Sequence, residues 1–247
     1  MKLVRNIFIM ALSAIFVCCA NNSTKKTASE TEKAGTNSAV AEEASSTPID
    51  VKSFGLVGNV KKVTVMVSEL ESGKELAPWE DHTQNLEFDE SGRVVKDLFD
   101  NLYQYDEKGN FIKGVSEKSK MRRDEKGRIV FYENWRDNED DQGYTINIEY
   151  DGSDRMAKVA MQGWEATVDR IYTYSDDHVY PDRANWEASD EGDHYSTVMD
   201  YTYKKFDSLG NWTEREVHTV AKHTNVDSPD TDIDDNITIE RREIVYY

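Results

Sequence analysis

Phe88-Asp89-Glu90-Ser91-Gly92-Arg93 is the stretch that decides the fold, because the chain repeats it. Close copies are Tyr105-Asp106-Glu107-Lys108-Gly109-Asn110 and Phe206-Asp207-Ser208-Leu209-Gly210-Asn211. Looser ones are Arg123-Asp124-Glu125-Lys126-Gly127-Arg128 and Tyr150-Asp151-Gly152-Ser153-Asp154-Arg155. An Asp at the first turn position accepts a hydrogen bond from the backbone N–H two residues on and so stabilises a type I turn. The Gly three residues later suits a left-handed backbone, which closes a hairpin as a bulge. Asp154 stands where the repeat wants Gly, and Asp tolerates that region better than most residues. The aromatic before each Asp falls at a strand end, where it caps the apolar face of a sheet. A turn repeated between short strands predicts an array of hairpins.

The flanking segments agree. Val63, Val65 and Val67 share one face of an alternating run, as do Tyr144, Ile146, Ile148 and Tyr150, and Met199, Tyr201 and Tyr203. Ile237 to Tyr247 is rich in β-branched and aromatic residues and reads as a closing strand. No window of a dozen residues combines helical periodicity with caps. The expectation is an all-β domain, an antiparallel meander of hairpins forming a curved, largely single sheet. The Asp positions are spaced 17, 18, 27 and 56 residues apart. That irregularity predicts insertions, notably acidic loops at Asp137 to Gly143 and Ser189 to Asp193, with one more degenerate copy at Tyr174 to His178.

Residues 1–19 read as a processing signal: Lys2 and Arg5 precede an apolar run, Ile7 to Val17, too short to span a bilayer. The run ends in Val17-Cys18-Cys19-Ala20, a pattern that resembles a bacterial lipoprotein signal. Cys19 is the expected lipidation site, and Cys18 the alternative. A plain secretory signal with two incidental cysteines is the competing reading. Both cysteines lie here, so the mature protein has neither a disulfide framework nor a thiolate metal site. Residues 20–48 have no aromatic and one Val, a composition that predicts a flexible tether. A single domain is expected over residues 49–247.

The formal charge is −18, and the two signal cations are lost with the signal. A domain this acidic repels nucleic acid and anionic headgroups, so membrane contact is expected through the acyl anchor alone. Asp230-Thr231-Asp232-Ile233-Asp234-Asp235-Asn236 carries the alternating carboxylates of a calcium loop. It lacks the Gly at position six and the Glu at position twelve, and a solvated acidic hairpin loop accounts for it better. The histidines are His82, His178, His194, His218 and His223. They form no ligand pair, and five residues put His218 and His223 on opposite faces of a strand. No metal or cofactor is expected. There is no Gly-x-Ser-x-Gly nucleophile elbow, and carboxylates are too abundant for any pair to be singled out as a glycosidase dyad.

The tryptophans are the remaining candidates for a binding surface. Trp135, Trp164, Trp186 and Trp212 lie in the domain with Trp79, and Trp135, Trp186 and Trp212 each follow an Asn at or near a turn. Exposed, they would stack on sugar rings; the alternative is that a thin sheet uses them to cover its apolar face.

Tyr-Asp-x-x-Gly-Asn followed by an apolar strand resembles the YD repeat of RHS and teneurin proteins, over Leu86 to Val159 and Tyr201 to Val217. The resemblance implies antiparallel sheets that curl, which in large proteins wrap into hollow shells; this chain has too few copies for a shell. With Leu56-Val57-Gly58-Asn59-Val60 ahead of the repeats, it is similar to small exported lipoproteins carrying a few such hairpins. That resemblance implies no activity. The expected function is a non-catalytic binding or scaffold module at the outer membrane, with a glycan or protein ligand. The alternatives are a glycan-directed hydrolase of the cell envelope or surface, and a structural partner for a secreted effector.

Overall fold

A computed structural model describes residues 47–79, 83–98, 101–134, 143–175, 180–226 and 228–247, the side chains of 228–230 excepted. The signal, both cysteines, most of the tether, Trp135, His82, His178 and the loop 137–142 lie outside the described residues. A short helix, α1 (Ile49–Ser53), opens the domain, and among the described residues every other element is a strand. They are β1 (Val60–Glu71), β2 (Lys74–Glu75), β3 (Gln84–Phe88), β4 (Val94–Lys96), β5 (Gln104–Tyr105), β6 (Phe111–Lys113), β7 (Lys120–Arg123) and β8 (Ile129–Asn134). The long second half holds β9 (Tyr144–Tyr150), β10 (Met156–Gln162), β11 (Ala166–Thr173), β12 (Arg183–Asp190), β13 (Asp193–Phe206), β14 (Trp212–Asn225) and β15 (Ser228–Tyr246).

The strands form one large antiparallel meander in the order β4-β3-β1-β15-β14-β13-β12-β11-β10-β9-β8-β7, with β2 added to β1. The last strand returns beside the first, pairing Val63 with Ile244 and Val65 with Arg242. The path therefore curls, as expected of a curved all-β sheet, but it is not closed. Between β4 and β7 the ladder gives way to a separate β5-β6 hairpin and a lone bridge from Lys96 to Leu102. Buried side chains tie this seam together. Tyr103 donates to Asp97 (2.6 Å), Asn101 donates to Asp97 (2.9 Å) and to the Tyr144 hydroxyl (2.6 Å), and Asn134 donates to Asn101 (2.9 Å).

All five turns of the repeat are built alike. In the first, Asp89 Oδ1 accepts from the N–H groups of Ser91 (2.9 Å) and Arg93 (3.0 Å), and Gly92 sits at φ +73°. Asp154 takes the glycine position at φ +66°, as its tolerance of that region predicts. Each turn brings a register shift that marks the bulge, for example between Glu87 and Phe88. The sixth residue adds a contact the repeat does not advertise. Arg93, Arg128 and Arg155 each donate Nε to their own Asp Oδ2 at 2.7 Å. They also reach the aromatic of a following copy, Arg93 over Tyr105 (5.0 Å), Arg128 over Tyr150 (4.2 Å) and Arg155 over Tyr174 (4.3 Å). Those tyrosines close the link by donating to the carbonyls of Val94, Ile129 and Met156, the residue after each Arg.

These turns gather at one end of the meander, and the segment 47–59 is seated among them. Asp50 of α1 is buried, accepts from Val94 N–H (3.1 Å) and pairs with Arg123, whose Nη2 donates at 2.8 Å. The aromatic missing from the third copy is thus replaced by the cation that holds the helix. Asn211 accepts from Val57 N–H (2.8 Å) and donates to its carbonyl (3.0 Å). Val51, Phe54 and Leu56 join one core with Val63, Val65, Phe88, Tyr132, Met156, Trp186 and Trp212.

Two local expectations change. Asp230 to Asn236 is not a loop but the start of β15, paired with β14. Ser189 to Asp193 is no insertion: Asp190 faces Asp193 across a two-residue turn, Glu191-Gly192. The domain opens with a five-residue helix at Ile49.

Candidate functional site

Strand parity builds an unexpected interior in the β11–β15 part of the sheet. Tyr195, Thr197 and Met199 of β13 face inward with Ala184, Trp186 and Ala188 of β12, and Arg215, Val217, Thr219 and Ala221 of β14 continue the face. On β15 the inward residues are Thr238, Glu240 and Arg242, each at most 6% exposed, while Ile237 and Ile239 turn the other way. The buried stretch 238–242 of that strand is polar on its inward side. Arg170 of β11 is buried on the same side.

The interior therefore holds Arg170, Arg215 and Arg242, with the carboxylate of Glu240 paired to Arg215. Arg215 donates Nε to Glu240 Oε2 at 2.6 Å, and Tyr203 lies 3.4 Å from its Nη1. Burial works against the Arg215 charge, but Glu240 outweighs it and holds the guanidinium firmly protonated. Its plane lies 4.0 Å from the Tyr201 ring centre and 4.5 Å from that of Trp212. Arg242 stacks on the same indole at 3.7 Å. Burial and then the neighbouring Arg215 push Arg242 down to about 9. Burial raises Tyr203 to about 12, with Arg215 moderating the effect. Arg242 Nε and Nη1, Trp212 Nε1, Thr197 Oγ1 and Thr219 Oγ1 are buried with no hydrogen-bond partner. Chemically this is a hydrogen-bond donor surface with an excess of positive charge, inside an acidic protein.

Among the described residues the tryptophans do not form one surface. Trp186 (1% exposed) is in mid-strand in β12, and Trp212 (0%) follows the turn at Asn211; both belong to the core. Trp164 is 72% exposed on the β10–β11 turn at the opposite end and donates to Glu165 (3.0 Å). Trp135 lies outside the described residues. Near Trp164, the Glu191 carboxyl is pushed up by a shared hydrogen bond with Glu165, then by the charges of Glu165 and Asp190.

Among the described residues no group of three or more His, Cys, Asp or Glu is arranged to hold a metal. His218 bonds Asp235 (2.7 Å) outside, while His223 bonds Asp193 (2.9 Å) and stacks on buried Tyr195, the opposite faces their spacing predicts. The arginine cluster escaped the sequence reading because β15 offers Ile237 and Ile239 as the obvious core face. The signal that could have found it is the charged pair Glu240 and Arg242 at alternate positions, opposite the alternating face of β1.

Compared with known proteins, the chain matches no family model and no curated sequence.

Proposed function

We propose that the protein is an exported lipoprotein, lipidated at Cys19, whose tether (20–48) presents a non-catalytic ligand-binding β domain (49–247) at the outer membrane. RHS-like hairpins are the scaffold in this reading. The observation that supports binding is the interior of β11–β15, where buried donors outnumber the acceptors that face them. Folding rarely leaves buried donors unsatisfied, because each one costs roughly 1–3 kcal/mol. Sites that keep them are commonly sites that receive something. The alternative, a hydrolase of envelope glycans, needs a carboxylate pair in a desolvated cleft. Glu191, the carboxylate pushed up among the described residues, stands on an exposed turn instead.

Two measurements test the reading. Wild type should fractionate with membranes and take up acyl label, whereas Cys19→Ala should be released; membrane-bound, labelled Cys19→Ala would move the anchor to Cys18. Wild-type protein purified natively and then denatured should release a bound small molecule detectable by mass spectrometry. Release of new reducing ends from envelope glycans, with no bound molecule, would favour the hydrolase.

A further inference from the structure

The interior of β14 and β15 carries a charge imbalance that the chain itself does not settle. Arg215 and Arg242 share one indole, Trp212, and one carboxylate, Glu240, and Arg215 takes that carboxylate at 2.6 Å. Arg242 is 6% exposed, yet its Nε and Nη1 have no partner. Trp212 covers one face of the guanidinium at 3.7 Å, so a further ligand must approach in its plane, where the N–H groups point. The indole N–H of Trp212 is likewise buried and unpartnered. A buried cation whose nearest carboxylate is hydrogen-bonded to another guanidinium is penalised, and persists in proteins when something pairs with it. Ile237 and Ile239 lie on the other face of the same strand, with Arg241 and Glu243 beyond them.

We propose that Arg242 is the centre of a buried anion site that takes the oxyanion of a ligand, a carboxylate or a phosphate, with Trp212 beneath it and Arg215 beside it. The inference rests on the binding-module reading and names the chemistry of its ligand. The domain's acidic exterior then discriminates by depth: anions are repelled at the surface, and an oxyanion is held only where two guanidinium groups meet it out of water.

The test uses full-length protein at constant ionic strength, with sodium chloride exchanged for inorganic phosphate or for acetate, read by melting temperature and tryptophan fluorescence. Wild type should show a saturable rise in melting temperature with at least one of the two, accompanied by a fluorescence change. The better of the two tells phosphate from carboxylate. Arg242→Met should abolish both responses and, in chloride alone, should melt no lower than wild type, because it removes an unpaired buried charge. Arg242→Lys keeps the charge but loses the planar fork, and should weaken the oxyanion by roughly 10-fold or more. It also covers the case in which Arg242→Met does not fold. A wild type that responds to neither anion overturns the proposal, as does a response undiminished in Arg242→Lys. If a bound molecule still co-purifies with a folded Arg242 variant, the anion site fails and the binding module stands. If none is recovered from wild type and it responds to neither anion, both fall.

Discussion

Gly92 and Gly210 occupy equivalent turn positions, at φ +73° and +88°, but their surroundings differ. A Cβ on Gly210 meets nothing within 4 Å, so Gly210→Ala should cost only the left-handed backbone strain, about 1–2 kcal/mol. A Cβ on Gly92 would lie 2.2 Å from Pro48 Cβ. Gly92→Ala should therefore destabilise further, by at least ~1 kcal/mol beyond Gly210→Ala, because Pro48 and α1 must shift. Urea unfolding of the two variants checks this, and equal losses would mean that the helix seat adds nothing. The left-handed role of these glycines is legible in the sequence, since Asp-x-x-Gly between strand formers leaves few alternatives. Gly92's second role is not, because Pro48 is a neighbour only once the sheet has curled. Arg242 was hidden for a related reason: parity on β15 is set by its pairing with β1 and β14, and the strand's own residues point the other way.

At the scale of elements, the repeat turns out to be a linkage as well as a turn. Arg128 stacks on Tyr150, whose hydroxyl donates to Ile129 carbonyl at 3.0 Å. A double-mutant cycle on Arg128→Ala and Tyr150→Leu should show a coupling of about 0.5–1 kcal/mol, and additive effects would refute the linkage. The same arithmetic explains why uneven spacing does no harm. Any insertion is tolerated provided the next aromatic returns to the preceding Arg. The turn aspartates also fix the acid limit of the fold. Asn110, through its side chain and then its backbone, holds Asp106 below the ordinary carboxylate value. Burial alone would raise Asp124 and Asp151, but hydrogen bonds from Arg128 and Arg155 outweigh it and lower both. A carboxylate with a lowered folded value stabilises above its ordinary value near 4 and ceases to do so as pH falls through the folded one. Stability should therefore drop between pH 4 and the folded values of these groups. Asp151→Asn should flatten that part of the profile measured by thermal melts.

Over the whole molecule, the strands, turns and scarcity of helix could be read from the sequence, while the near-ring and its seated N-terminal segment could not. They depend on contacts such as Asp50 with Arg123, between residues 73 apart whose types carry no mutual signal. The ring buries tyrosines, which sets the alkaline limit. Burial raises Tyr103 and Tyr201, and brings Tyr203 to about 12. Groups raised in the fold stabilise it below their ordinary value near 10 and lose that effect as pH climbs through the folded one. Arg242, lowered to about 9, acts in the opposite sense and favours the fold as pH rises above that value, but one arginine is outnumbered. Phenolate absorbance should thus contain a late step that coincides with unfolding; full ionisation near pH 10 in folded protein would contradict the burial. The helix at the turn end has a mechanical meaning too. Gly58 N–H donates to Thr47 Oγ1 at 2.8 Å, and Asp50 is clamped by Arg123 and Val94. Tension entering at the N-terminus loads these few side-chain contacts before any strand ladder. Under a steady pull the chain should yield first by releasing residues 47–59 as a discrete slack, leaving the sheet to bear load as a second, stronger event.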